Sequence, residues 1–299
     1  MKTIIIGMGI QGAKRKKYLG RDFIYSVDKI KNSDFKSVYD VPLKDFDAAF
    51  ICLPENEKFK VIKYCIQNKK HILVEKPLLF RDKKKFLILQ KIARQNKVVC
   101  YTAYNHRFEP HFVRMKKIIN SEKLGKLYSC RIFYGNGTAK LVKKSWRDSG
   151  KGVKTDLLPH LLDICKFWFG KNLKKFKLVS SSKFENKAPD HASFISEKGS
   201  IKINLEISYV MWKNTFTCDL LASKGSAHIN NLCKWGKSIF IFRKRKFPSG
   251  KPNEKIKNLF KKDPTWTLEY KYFKSLIKKK IKTNFSNDIW IQQQIKKIK

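Results

Sequence analysis

The stretch Thr3-Ile4-Ile5-Ile6-Gly7-Met8-Gly9-Ile10-Gln11-Gly12 decides the fold. A short apolar run leads into three glycines spaced G-x-G-x-x-G, and a helical segment, Ile10–Leu19, opens inside them. A second apolar run, Phe23–Val27, ends at Asp28, 21 residues after Gly7. Each part has a physical job. Gly7 permits a tight turn, Gly9 bares the backbone to a pyrophosphate, and Gly12 lets the helix pack closely on the strand. The helix N-terminus offers free N–H groups and a partial positive charge. Asp28 stands where an acid accepts from a ribose hydroxyl. Glycine spacing alone would also suit an ordinary strand-to-helix turn. Strand, helix and acid together point to a dinucleotide site.

Outward from this stretch, apolar runs alternate with helical segments. Asp47–Cys52, His71–Val74 and Val98–Tyr101 read as strands, and Glu57–Lys69 and Asp82–Gln95 as helices. This alternation predicts a parallel sheet covered on both faces. Between Asp28 and Asp47 there is no room for a helix plus a strand, so Phe35–Val41 is expected as one small strand. The pattern then changes. A helix over Glu109–Ile119, a strand over Leu127–Tyr134, a glycine-rich polar stretch to Gly152 and a helix over Pro159–Phe169 come next. Five strand-like segments follow: Lys177–Phe184, His191–Ser196, Ile201–Val210, Thr215–Ala222 and Ser238–Arg243, with turns at Lys198-Gly199 and Lys224-Gly225. No long helix interrupts them, which predicts an antiparallel sheet. Trp266–Lys279 and Asp288–Ile298 read as closing helices. The expected division is 1–121 for the dinucleotide domain and 122–299 for an α+β domain.

The 299 residues include seven cysteines with no Cys-x-x-Cys and six histidines with no His-x-x-x-His, so buried free thiols and no metal site are expected. No apolar run is long enough to span a membrane. The opening segment is too short for a secretory signal, so the expectation is a cytoplasmic protein. The net charge is +43, which brings a nucleic-acid partner into question. Only ten of the 67 basic residues are arginine, and the lysines are spread along the chain. Phosphate forks and base readout favour arginine, so a solvated lysine-rich surface, with attraction of an anionic substrate or membrane surface as a second reading, outweighs specific nucleic-acid binding.

Three segments carry side chains suited to chemistry. Glu75-Lys76-Pro77 follows a parallel strand, at the sheet edge where ligands lie in open α/β folds. Tyr104-Asn105-His106-Arg107-Phe108 follows the last parallel strand; Asn105 suits a cofactor amide, and Arg107 an anionic or hydroxyl-rich substrate. Asp156 and His160 flank Pro159 at the start of a helix, where the dipole biases an imidazole towards its neutral, base-competent form. Each segment alone also has a plain reading: a surface turn, a domain connector, a buried histidine.

In order and spacing, Gly7–Gly12, Glu75–Pro77, Tyr104–Phe108 and Gly150–His160, with Leu124–Leu127 and Trp146-Arg147, resemble the Gfo/Idh/MocA oxidoreductases, the glucose–fructose oxidoreductase and inositol 2-dehydrogenase group. The resemblance runs from Met1 to about Ala227. It implies an N-terminal Rossmann domain followed by an α+β domain with an open, mainly antiparallel sheet, often a dimer interface. It implies NAD as cofactor, with NADP left open by Lys29 and Lys31, and a sugar, polyol or nucleotide-sugar substrate, anionic in view of the charge. Lys76, Asp156 and His160 fall at the catalytic positions. Gly7, Met8, Gly9, Ile10, Gln11, Gly12, Asp28, Leu53, Pro54, Glu75 and Asn105 fall on the cofactor side. Lys76, Tyr104, Arg107, Trp146, Arg147 and His160 fall on the substrate side.

The departures are specific. The family's glycine two residues before the histidine is Leu158, its triple glycine is reduced to Gly150-Lys151-Gly152, and the histidine it often has four residues after Pro54 is Lys58. A non-catalytic protein that senses NAD(P) or a sugar is the competing expectation. A homo-oligomer is expected in either case.

Overall fold

The computed structural model describes residues 1–80, 82–170, 173–198 and 201–298. They form two compact units, Met1–Asn105 with Trp266–Gln292, and His106–Thr265 with Gln293–Lys299. The expected division at 121/122 therefore differs from the fold at both ends: the first unit closes at Asn105 and takes back Trp266–Gln292.

The first unit is built on β1 (Thr3–Ile6), β2 (Phe23–Val27), β3 (Ala48–Ile51), β4 (His71–Glu75) and β5 (Cys100–Ala103), all parallel, in the order β2-β1-β3-β4-β5. The helices are α1 (Ile10–Leu19), α2 (Glu55–Gln67) and α3 (Lys84–Gln95). Alternation along β1 divides the core. Ile4 and Ile6 join Ile62, Ile66, Phe86 and Leu89 of α2 and α3, whereas Ile5 joins Leu19 of α1. Right-handed crossovers explain this: the chain steps one way from β1 to β2 and the other way thereafter, so of these three helices only α1 lies on its face. The helix α8 (Thr265–Lys278) completes that face. Its Tyr270 and Phe273 pack edge-on against Phe50, with ring centroids 5.6 and 5.8 Å apart.

Phe35–Val41 is not a strand. Phe35 makes a single bridge to Val27, and the chain then enters a 3-10 turn, Val38–Asp40, where the Ser37 side chain accepts from the Tyr39 N–H. The polar cap competes successfully with the sheet ladder. Val38, Val41 and Phe46 bury themselves where a crossover helix would otherwise pack.

The second unit has an eight-stranded sheet in the order β13-β12-β11-β10-β6-β9-β8-β7. Its strands are β6 (Leu127–Gly135), β7 (Lys177–Ser182), β8 (His191–Lys198), β9 (Ile201–Ser208), β10 (Thr215–Ala222), β11 (Gly225–Asn230), β12 (Ser238–Lys244) and β13 (Asn253–Leu259). All neighbours are antiparallel except β6 and β9. The expected turn at Lys198-Gly199 lies partly outside the described residues, because Gly199 is not among them. Inward residues alternate with outward ones along β9 and β10, as a sheet with one buried face requires. Helices α4 (Pro110–Asn120), α5 (Ala139–Val142), α6 (Val153–Asp156) and α7 (Leu158–Phe169) accompany it, and α9 (Ser286–Lys297) lies near the chain end. Phe112 of α4 packs on Trp168 of α7 and Phe216 of β10, and the Trp168 indole N–H donates to the Phe112 carbonyl at 3.0 Å. All seven cysteines are free thiols. No helix among the described residues is long and apolar enough to cross a membrane.

Candidate active site

At the end of β1 the three glycines do different work. A Cβ on Gly12 would lie 2.0 Å from the Gly7 carbonyl oxygen, and one on Gly7, whose φ is +94°, would lie 2.7 Å from the Cys52 oxygen. These two positions permit close packing. A Cβ on Gly9 would meet nothing within 4 Å among the described residues. Gly9 clears space rather than fitting into it. The first turn of α1 has no side-chain cap and no acidic residue, so its N–H groups are open to an anion. Ile10 is exposed beside it, and the Gln11 Oε1 atom is buried with no hydrogen-bond partner among the described residues. Asp28 at the end of β2 faces this turn: Oδ2 accepts from the Met8 N–H at 2.6 Å, and Oδ1 accepts from Ile30 and Lys31 at 2.9 and 2.8 Å. Burial pushes the Asp28 carboxyl up, but these three N–H groups hold it below its ordinary value. An open cradle, an ionised acid and an orphaned amide oxygen fit a nicotinamide dinucleotide.

The sheet edge gathers the other first-unit candidates. Leu53 and Pro54 follow β3, Lys76 follows β4, and Tyr104 and Asn105 follow β5. β1 and β3 are the strands between which the direction of winding reverses, the place where such sheets bind ligands. Glu75 is anchored sideways. Its Oε1 accepts from both Nε and Nη2 of Arg15 at 2.7 Å, and Arg15 Nη1 donates to Glu269 Oε2 at 2.6 Å. The guanidinium lies 4.3 Å from the Trp266 ring centroid. Burial raises the Glu269 carboxyl to about 7 against the pull of Arg15. Arg15 and Glu269 are absent from the sequence-based site. Their signal was there: Gly12, Arg15 and Leu19 share the inward side of α1, and Glu269 sits in the stripe of Trp266, Tyr270 and Phe273.

In the second unit, α6 and α7 present Asp156 and His160. Gly152, at φ +49°, starts α6 where a Cβ would lie 2.2 Å from the Pro189 carbonyl oxygen, so this glycine of the reduced set is sterically required. Leu158 is wholly buried. Asp156 Oδ2 accepts from the Tyr209 hydroxyl at 3.1 Å and lies 3.3 Å from Arg147 Nε. Burial and the neighbouring Asp156 carboxylate push the Tyr209 phenol up, which keeps its proton in place as a donor. The buried His160 ring stacks on His106, with centroids 4.1 Å apart, and meets the edge of Tyr134 at 5.9 Å. His106 Nε2 lies 3.3 Å from Lys234 Nζ. His106 was read only as part of a connector, and its partners lie far along the chain. Arg107 forks onto Asp163 of α7, with Nε at 2.7 Å from Oδ2 and Nη2 on Oδ1. Trp146 is exposed, with the Arg147 guanidinium 5.6 Å from its ring centroid.

Comparison with known proteins matches residues 2–104 to the family model "Oxidoreductase family, NAD-binding Rossmann fold" and residues 112–228 to "GFO/IDH/MocA C-terminal domain". The chain belongs to the GFO/IDH/MocA oxidoreductase family. Its first unit is that family's NAD-binding Rossmann domain, and its mainly antiparallel sheet is that family's second domain. An uncharacterised oxidoreductase of Bacillus subtilis is 27% identical over 206 residues, covering 67% of this chain and 59% of the relative. The myo-inositol 2-dehydrogenase of Thermotoga maritima is 23% identical over 192 residues, covering 58% and 57%. The matched segments thus span less than two thirds of these relatives' length. The structure of UDP-N-acetylglucosamine 3-dehydrogenase from Acidithiobacillus ferrooxidans superposes with a TM-score of 0.81 at 17% identity, covering 100% of this chain and 96% of that one. That likeness is one of fold.

Proposed function

We propose that the chain is a nicotinamide-dependent dehydrogenase that moves a hydride between a cofactor and a carbon of a sugar, polyol or nucleotide-linked sugar. The observation that carries this reading is the parallel-sheet edge, where an open glycine turn, an ionised acid and a lysine all follow strand ends. The bound cofactor supplies the hydride acceptor or donor. The N–H groups at the start of α1 hold its pyrophosphate, and Asp28 accepts from a ribose hydroxyl. Because Asp28 stays ionised it repels a 2′-phosphate, which favours NAD over NADP.

Lys76 polarises the substrate oxygen. His160 takes the hydroxyl proton in oxidation and returns it in reduction, the general acid–base role an imidazole performs. Asp156, held by Tyr209 and Arg147, orients the substrate or the imidazole. Arg107 in this reading braces α7 through Asp163, while Trp146 and Arg147 offer a flat ring and a cation to a sugar. The likeness to an inositol dehydrogenase and the charge of +43 favour a polyol or an anionic sugar. Surface-polysaccharide or nucleotide-sugar biosynthesis is the context we assign, in the cytoplasm, where free thiols persist. A homo-oligomer built on the open sheet belongs to the same proposal.

The test follows reduced nicotinamide while myo-inositol, uronic acids and UDP-sugars are screened with NAD and NADP. Turnover of one of these is expected, and His160→Asn should lower kcat about a thousandfold while NADH affinity stays within about twofold. A chain that neither binds NADH nor turns over any of them would sink the proposal, and full activity in the variant would remove His160 from it.

A further inference from the structure

We infer that Lys58 is a positioning residue for Lys76: its buried ammonium clasps the carbonyls on both sides of that lysine and fixes the turn that presents the amine. The inference rests on the reading of Lys76 as catalytic. Lys58 stands in the first turns of α2, just after Pro54, and is 3% exposed. Its Nζ donates to the Glu75 carbonyl at 2.5 Å and to the Pro77 carbonyl at 2.8 Å. An ammonium taken out of water needs such acceptors, because an uncompensated buried charge is very costly. Two of its three donors are therefore committed to the residues that bracket Lys76.

The bracket is closed from the other side as well. The Glu75 carboxylate is held by Arg15, so residue 75 is tethered at both its side chain and its carbonyl. Pro77 is tethered at its carbonyl and is buried. Lys76 stands half-buried between these two tethered residues. A catalytic group displaced by about 1 Å loses on the order of a hundredfold in rate, so a fixed turn is worth a buried charge.

The clasp is also a charge that titrates. Burial brings the Lys58 ammonium down to about 8; Glu75 and Glu55 oppose this, and Lys76 adds to it. Cys52, a thiol that burial keeps protonated, also faces it, and the Glu75 carboxylate is itself paired with Arg15. Loss of the proton turns charge-assisted bonds into ordinary ones, roughly half as strong.

The experiment compares the full-length wild type with Lys58→Met and Lys58→Arg. NADH serves as the binding probe, and the sugar that the wild type turns over best serves as the kinetic probe. In Lys58→Met, kcat should fall about 10- to 100-fold while KM and the NADH Kd move less than about threefold. Lys58→Arg should recover most of kcat and lose the fall in kcat above about pH 8, since a guanidinium does not titrate there. A kcat within twofold of wild type in Lys58→Met would overturn the inference, as would an alkaline fall that persists unmoved in Lys58→Arg. A crystal structure of Lys58→Met gives an arm that needs no turnover: an unmoved Glu75–Pro77 backbone overturns the inference, and a displaced one supports it. A wild type without turnover sinks the dehydrogenase reading, and the Lys58→Met structure then decides the clasp alone. Should Lys58→Met fail to fold, the alkaline limb of Lys58→Arg decides.

Discussion

The edge of the parallel sheet and the α6–α7 region of the second unit are built from different materials. The first works mainly through the backbone. In the function proposed above, its fit to phosphate rests on what is missing, a Cβ at Gly9 and a side-chain cap on α1. The second works through side chains bound to one another: Asp156 with Tyr209 and Arg147, Asp163 with Arg107, and His160 stacked on His106. A backbone cradle should tolerate lost side chains but no added carbon. A paired cluster should tolerate conservative exchange but no deletion.

The largest expected effect tests the paired cluster. Arg107→Ala leaves the Asp163 carboxylate, 1% exposed, without its forked partner. The arginine is 26% exposed, but its removal strands a buried carboxylate, so the cost is about 3 kcal/mol, readable as a lower midpoint in urea denaturation. Arg107→Lys should restore only part of it, because an ammonium cannot reproduce the fork. A loss below about 1 kcal/mol would break the contrast, since it would make the pair no more than a surface bridge.

Next come two alanines in one turn. Gly12→Ala forces a carbon against the Gly7 carbonyl, so stability should fall by about 1–3 kcal/mol and NADH binding with it. Gly9→Ala meets no protein atom among the described residues, so its thermal midpoint should stay within about 1 °C of wild type while NADH affinity drops about tenfold, about 1.4 kcal/mol. Unchanged NADH binding in Gly9→Ala would move the phosphate elsewhere. The smallest effect sharpens the cofactor side. Asp28→Asn keeps an acceptor for the turn and removes the charge, and the preference for NAD over NADP should narrow by several-fold, about 1 kcal/mol, in paired binding titrations. An unmoved ratio would take Asp28 away from the ribose.

Legibility in the sequence followed the same contrast. The glycine turn, Asp28 and strands β1 to β5 were readable because each rests on a local pattern of a few residues. Phe35–Val41 misled because its apolar residues suit a strand, while Ser37 offers the backbone a nearer partner. Strand β13 is exposed along nearly its whole length and carries no alternation, and the polar start of β11 read only as a turn. The ion pairs of Arg15 join residues 60 and 254 positions apart, a distance at which pattern says nothing about pairing. The helical stripe of α8 was plain, yet a stripe does not say which sheet it will cover.

That last point has a consequence for how the protein is made. The nucleotide-binding half is not one continuous piece of chain: Glu269, Tyr270 and Phe273, which seal its open face and neutralise Arg15, are translated long after Asn105. At about 5–20 residues per second the interval is on the order of ten to thirty seconds. During it the nascent domain waits with a bare apolar flank and a half-satisfied arginine, so the second domain has time to assemble before the first is finished.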